Sequence, residues 1–152
     1  MKQQFRPRLY SDGMEFSWSG SYSQKHRVTA GHRLSRWVRS HSSGAALGTV
    51  FAHSYGGEVA ARAINSGAKV DELVLLSAPV NQHHIAALDR VSRVIDVRLD
   101  FDIVLALARE NQRLPAHPSV TEFVIQKAFW KHGATHEPKF WDDEAVAVKT
   151  GI

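Results

Sequence analysis

The sequence of 152 residues contains no cysteine. This absence excludes a disulfide framework, a thiolate metal site and a cysteine nucleophile. The basic N-terminus has no apolar segment behind it, and no window approaches the roughly 20 apolar residues that span a bilayer. We therefore predict a cytoplasmic protein. At this length, one domain can bury about two thirds of its unfolded surface without a metal or a disulfide.

Acidic side chains are scarce in the first part of the chain. Residues 1 to 41 carry eight Lys and Arg against two acids, whereas the remainder carries eleven against thirteen. Such asymmetry can indicate a nucleic-acid or membrane-surface partner. The basic residues from Lys25 to Arg39, however, share one predicted helix with apolar residues at helical spacing. We therefore predict a solvated helix face and no nucleic-acid partner, and we keep a basic nucleic-acid binder as a third hypothesis.

Strand and helix patterns alternate along the chain. An irregular leader covers residues 1 to 13, and a single domain covers residues 14 to 152. Short apolar runs predict strands at residues 15–18, 47–52, 73–76, 94–99 and 120–129. The fourth lies nearer an edge because it alternates with polar residues, and the pattern of the fifth is also compatible with a helix. Helical spacing predicts helices at residues 22–40, 57–67, 82–90 and 103–111 and, from Pro138, at the C-terminus. This order predicts an α/β fold, a predominantly parallel doubly wound sheet with helices on both faces.

The most specific pattern in the sequence is Val50-Phe51-Ala52-His53-Ser54-Tyr55-Gly56-Gly57, a buried-strand run that leads at once into an amphipathic helix. A serine on such a sharp turn presents its hydroxyl as a nucleophile, and the small residues Ala52 and Gly56 let strand and helix approach closely. The first helical amides, beginning with the Tyr55 N–H, point at the oxygen that becomes negative during acyl transfer. Neither a GxGxxG motif nor a P-loop lysine offers another explanation for the turn.

In this pattern the chain resembles the α/β-hydrolase superfamily, particularly its lipase-like and esterase-like members, over roughly residues 14 to 148. The resemblance implies a Ser-His-Asp triad in the chain order serine, acid, histidine, and it implies no cofactor. Ser54 is then the nucleophile. The acid is Asp102 or Asp100, and Asp102 is preferred because the following Ile-Val resembles the commoner Asp-x-Val form. Asp96 is a weaker candidate, and any of these residues could instead cap a helix.

The resemblance places the catalytic base after the last strand, where the sequence offers His132 and His136. We prefer His132 because it directly follows the predicted strand, but His136 stays open as the base. The other histidines have plainer interpretations: His53 packs beneath the turn, and those at positions 83, 84 and 117 lie on the surface or in loops. We predict no metal site, because no HExxH or similar spacing is present.

The resemblance is incomplete on its N-terminal side. In the family, the second oxyanion donor comes from a His-Gly-type loop after a strand that this sequence lacks. A truncated reading frame, a leader that fills the gap in the sheet, and a homo-oligomer that completes the sheet are three open explanations. The prediction is a serine hydrolase that acts on small-molecule carboxylic esters. The alternative is a catalytically impaired α/β-hydrolase-like binding or scaffold protein, a truncated remnant.

Overall fold

The computed structural model describes residues 16–100, 102, 113–126 and 132–152. Within these ranges four strands form one parallel sheet: β1 (Leu47–His53), β2 (Val70–Leu76), β3 (Arg93–Leu99) and β4 (Val120–Ile125). The spatial order of these strands is the same as their order in the chain, so β1 and β4 are the edges of the described sheet. All strands point the same way, and the loops after their C-terminal ends therefore meet along one side of the sheet.

The described helices divide between the two faces of the sheet. The helices are α1 (Gln24–His41), α2 (Gly56–Asn65), α3 (Gln82–Ala87), α4 (Pro138–Asp143) and α5 (Val146–Thr150), together with 3₁₀ turns at Leu88–Arg90 and His132–His136. We call the second of these 3₁₀ turns the His132 turn. None of the helices in the described ranges has the length and apolarity needed to cross a membrane.

Alternate residues of each strand supply the two cores. On one face, Leu75 of β2 and Val94 of β3 pack with Ala60 and Ile64 of α2. On the other face, residues that alternate with these, such as Val74 and Ile95, pack with Phe140 and Trp141 of α4. Because a buried parallel strand needs cover on both faces, its sequence is a nearly continuous apolar run. The predicted doubly wound arrangement is therefore confirmed.

Most of the predicted elements are present. The structure confirms the helices predicted at residues 22–40 and 82–90 and the helix after Gly57, as well as the strands predicted at residues 47–52 and 73–76. The last predicted strand is present as β4 up to Ile125, and two helices follow Pro138. The leader at residues 1–13, the predicted helix at residues 103–111 and the end of the last predicted strand lie outside the described residues.

The strand predicted at residues 15–18 is wrong in its described part, residues 16–18, which are not in a strand. The Phe16 side chain packs on α1 instead. The ring of Phe16 meets that of Trp37 edge-on at a centroid distance of 6.5 Å. A four-residue alternation that ends in Ser-Gly carries too little information to distinguish a strand from an extended segment of this kind.

The alternation in β3 predicted a strand nearer an edge, and β3 lies between β2 and the edge strand β4 of the described sheet. Its alternating polar residues are Asp96 and Arg98, both buried. They are two residues apart and therefore share one face of the sheet, where the Arg98 guanidinium donates to the Asp96 carboxylate. The alternation thus came from a buried ion pair and not from a solvent-facing side.

Candidate active site

Ser54 occupies a sharp turn between β1 and α2. Its φ is +53°, in the left-handed region that residues other than glycine rarely adopt. The Ser54 N–H donates to the Leu76 carbonyl oxygen of β2 at 2.9 Å, and the Gly57 N–H donates to the Ser54 carbonyl oxygen at 2.9 Å. The chain therefore leaves the sheet abruptly and begins a helix at Gly56. Ser54 is half-buried, so its hydroxyl lies close to the surface.

The helix α2 approaches the sheet most closely at Gly57. A Cβ atom at this position would lie 2.8 Å from Ala78 Cβ, 3.0 Å from His84 Nε2 and 3.1 Å from Leu75 Cδ2, whereas a Cβ at Gly56 would meet nothing within 4 Å. The sequence pattern assigned the close approach to Gly56. The structure places it one residue later, because the first residue of α2 faces open space and the second faces the sheet.

Tyr55, whose N–H is the predicted oxyanion donor, contacts α1. The Arg27 guanidinium carbon lies 4.4 Å from the centroid of the Tyr55 ring, in cation–π geometry. Arg27 Nε also lies 2.8 Å from the carboxylate of Glu58, which is 1% exposed. The Glu58 carboxylate also accepts hydrogen bonds, from Arg62 at 2.7 Å and from the Asn81 amide at 3.1 Å, in addition to its ion pair with Arg27. One buried carboxylate thus connects α1, α2 and the segment before α3 close to Tyr55.

Asp102 and His132 come together beside the C-terminal ends of the strands. His132 Nδ1 donates to Asp102 Oδ2 at 2.7 Å. The side chains are 1% exposed for Asp102 and 15% exposed for His132. Because Nδ1 carries the shared proton in this arrangement, Nε2 is the nitrogen that can accept another one. His132 Nε2 is buried and has no hydrogen-bond partner within the described part of the chain.

The other two acidic candidates lie apart from His132. Asp100 is exposed and lies 3.9 Å from the Arg113 guanidinium. Asp96 is buried on β3 with Arg98, and burial raises its pKa to about 6. Of the three carboxylates, the structure brings Asp102 to the imidazole.

A family model described as alpha/beta hydrolase matches residues 15–108. The chain belongs to the alpha/beta-hydrolase family. The matched residues include the Ser54 turn and Asp102 and end before His132. No curated protein and no solved structure gives a significant match.

In this alpha/beta hydrolase, His53 lies between the two late histidines. Its ring centroid is 4.9 Å from that of His132 and 4.5 Å from that of His136, and its Nε2 donates to the His132 carbonyl oxygen at 3.3 Å. Burial lowers the pKa of His53. Since His53 directly precedes Ser54, these contacts bring the His132 turn to the Ser54 turn. Within the described ranges, no three His, Asp or Glu side chains are arranged to hold a metal ion.

A second left-handed serine, Ser77, follows β2. Its φ is +46°, and it is fully buried. Because β1 and β2 are in register at His53 and Leu76, Ser77 stands beside Ser54 on the neighbouring strand. Its hydroxyl oxygen accepts a hydrogen bond from Thr135 Oγ1 of the His132 turn at 3.1 Å. Sequence reasoning missed this contact because the two residues are 58 positions apart.

His84 was predicted to lie on the surface or in a loop, but it is 1% exposed and lies in a helix. It occupies the third position of α3 and forms a capping box with Asn81: the Asn81 side chain accepts from the His83 N–H, and His84 Nδ1 accepts from the Asn81 N–H at 3.2 Å. Burial lowers the pKa of His84 to about 4, so that its ring is neutral at pH 7. The sequence did not indicate this capping box, because its third helical position is usually occupied by Glu or Gln and not by His.

Proposed function

We propose that the protein is a serine hydrolase that cleaves small-molecule carboxylic esters through Ser54, His132 and Asp102. The observation that carries the proposal is the hydrogen bond from His132 to Asp102 next to the Ser54 turn. A serine hydroxyl is a poor nucleophile at neutral pH and needs an oriented base within reach. Membership of the alpha/beta-hydrolase family supports hydrolytic chemistry. A cytoplasmic location, which the cysteine-free sequence favours, is part of the same proposal.

In the proposed reaction, Ser54 Oγ attacks the ester carbonyl carbon while His132 Nε2 takes the hydroxyl proton. Asp102 holds the imidazole in orientation and stabilises its charged form, and the Tyr55 N–H at the start of α2 stabilises the negative oxygen. Collapse of the tetrahedral intermediate breaks the ester bond, and His132 returns the proton to the leaving alcohol. Water, activated by the same imidazole, then hydrolyses the acyl-enzyme.

The nucleophile and the base are not hydrogen-bonded to each other in the structure, since His132 Nε2 has no such partner. Catalytic hydrogen bonds are often long until the substrate complex forms. We therefore assign the contact between Ser54 Oγ and His132 Nε2 to that complex. Each of the two groups is otherwise ready for it, because the hydroxyl is half-buried on its turn and the imidazole is already oriented.

An apolar groove of about 470 Å³ supports an ester with an apolar acyl group. Aromatic side chains of Phe16, Trp18 and Trp37 line it, and it reaches the Ser54 turn at His53 and Gly56. Its volume lies within the range of roughly 300 to 1,000 Å³ that is typical of small-molecule sites. We expect p-nitrophenyl esters of medium-length acyl chains to be hydrolysed faster than the acetate.

Reaction with a fluorophosphonate probe, followed by measurement of the intact mass, tests the proposal. We expect one adduct on the wild-type protein and none on the Ser54→Ala variant. The Ser66→Ala variant, which changes an exposed serine at the end of α2, serves as the control and should label like wild type. An adduct that persists in Ser54→Ala, or no adduct on the folded wild-type protein, contradicts the proposal and favours a non-catalytic binding protein.

Substitution of the two late histidines and of the acid distinguishes their roles. We expect His132→Asn to lower the rate of ester hydrolysis by at least about a thousandfold and Asp102→Asn by about ten-thousandfold, because each removes the oriented base. We expect His136→Asn to stay within a few-fold of wild type. A large loss in His136→Asn with full activity in His132→Asn would exchange the two assignments.

A further inference from the structure

We propose that Ser77 and Thr135 are positioning residues that hold the His132 turn beside the Ser54 turn. This inference rests on the proposed function, in which His132 is the base. The sequence alone does not indicate this role for either residue. Neither side chain is available to a substrate, because both are 0% exposed.

The hydrogen bond between the two hydroxyls is the first observation. Thr135 Oγ1 donates to Ser77 Oγ at 3.1 Å in a fully buried environment. A buried hydroxyl pair of this kind is costly to break, because water cannot replace the lost partner. The left-handed φ of Ser77 is unfavourable for a serine and persists only where its surroundings hold it.

The geometry of the His132 turn links this bond to the base. The turn is a 3₁₀ helix from His132 to His136. In a 3₁₀ helix, side chains three residues apart lie on the same side, one above the other. Thr135 therefore projects from the same side of the turn as His132, and fixing the first side chain restricts the second.

A second contact holds Thr135 through its backbone. Trp141 Nε1 of α4 donates to the Thr135 carbonyl oxygen at 2.7 Å, and Trp141 is 1% exposed. Thr135 is thus bonded to the sheet through its hydroxyl and to α4 through its carbonyl. Since Ser77 stands beside Ser54 in the register of β1 and β2, the turn is attached about one strand spacing, roughly 5 Å, from the proposed nucleophile.

The Thr135→Val variant tests the proposal because it removes the donor and keeps the shape of the side chain. Thr150→Val is the matched control: Thr150 is 2% exposed, and its hydroxyl donates at 2.7 Å to Val146 within α5, away from the His132 turn. We expect both variants to unfold at lower temperature. We expect fluorophosphonate labelling to slow by about ten- to a hundredfold in Thr135→Val and by less than twofold in Thr150→Val. Thr135→Ser should recover the wild-type rate to within about threefold.

The steady-state constants and the imidazole itself separate positioning from general destabilisation. In Thr135→Val, kcat for a p-nitrophenyl ester should fall while KM changes little, because the groove is untouched. The proton that His132 shares with Asp102 should give a downfield ¹H resonance, assigned by its loss in His132→Gln. We expect this resonance to disappear or broaden in Thr135→Val and to persist in Thr150→Val.

Equal labelling rates and equal resonances in the two valine variants overturn the proposal. If wild-type Ser54 does not label at all, the proposed function fails, and the resonance alone decides whether Thr135 positions His132. If Thr135→Val does not fold, Ser77→Ala, which removes only the acceptor, takes its place with the same expected losses.

Discussion

The turns at the ends of β1 and β2 have similar backbones and different surroundings. Ser54 and Ser77 both adopt a positive φ, +53° and +46°. Each donates its N–H to a carbonyl oxygen of the next strand, Leu76 or Val97, at 2.9 Å. The first serine is followed by Tyr55 and then by a helix that begins with two glycines, whereas Ala78 and Pro79 follow the second serine and no helix begins there.

The difference shows that a left-handed serine at the end of a parallel strand can be either half-buried or fully enclosed. Ser54 is half-buried and stands at the start of α2, where the positive end of the helix dipole favours a negative oxygen. Ser77 is fully buried and its hydroxyl is engaged by Thr135. In the proposed function, the neighbours of each serine, and not its own backbone, therefore determine whether the hydroxyl reacts or anchors a turn.

The largest expected contrast is in chemical accessibility, and the absence of cysteine from the chain makes it simple to measure. We expect a thiol introduced by Ser54→Cys to react with iodoacetamide at least about a thousandfold faster than one introduced by Ser77→Cys, because the second thiol reacts only when the structure opens. Intact-mass measurements over time give both rates. In guanidinium chloride the two rates should converge, and native rates within tenfold of each other would contradict the comparison.

The next contrast is at Gly57, where the two turns touch. A Cβ there would lie 2.8 Å from that of Ala78, the residue after Ser77. We expect Gly57→Ala to lower the free energy of unfolding by about 3 kcal/mol, because neither backbone can yield easily. Gly56→Ala is the control and should change it by less than about 0.5 kcal/mol. Urea unfolding measures both, and equal effects would show that the turns are not in close contact.

The smallest effect concerns pH, through the buried His84 at the same junction. Its pKa is about 4 in the fold and 6.5 in the unfolded chain. The fold therefore favours the neutral ring, and this stabilisation is complete above pH 6.5 and is lost as the pH falls toward 4. Between pH 7 and pH 5 the loss is about 2 kcal/mol, at about 1.4 kcal/mol for each pH unit below 6.5.

The variant His84→Gln isolates this contribution, because an amide can serve the same capping position without titrating. We expect urea unfolding to show that wild type loses about 2 kcal/mol more than the variant between pH 7 and pH 5. The raised pKa of Asp96 makes the fold more stable as the pH falls toward 4, which opposes the effect of His84. This contribution is the same in wild type and variant and therefore cancels in the comparison. Parallel pH dependences of the two proteins would contradict the assignment.

The parts of the fold that could be predicted from the sequence depend on neighbours in the chain. The Ser54 turn needs only a buried strand, a serine, small residues and an amphipathic helix, all within a short stretch. The parallel sheet follows from the alternation of strands and helices. The pairing of Asp102 with His132 came from the family resemblance and not from spacing, and the sequence left His132 and His136 both open as the base.

The features that could not be predicted depend on contacts between distant residues. The polar positions of β3 were attributed to a place nearer an edge, because a pattern cannot show that Asp96 and Arg98 neutralise each other inside the protein. The bond from Thr135 to Ser77 joins residues 58 positions apart. No periodicity encodes such a pair, and a left-handed φ at a serine has no signature in composition.

The buried carboxylate of Glu58 has a consequence for how the molecule opens. It lies one helical turn after Tyr55 and shares its charge with Arg27 of α1 and with Arg62. If α1 detached, the Glu58 carboxylate would lose the charge of Arg27 in a buried region where water cannot replace it. This loss would destabilise α2, the helix that follows the proposed nucleophile. Local fraying of α1 is therefore coupled to the Ser54 turn, and we expect the two to exchange their amide hydrogens as a single cooperative unit.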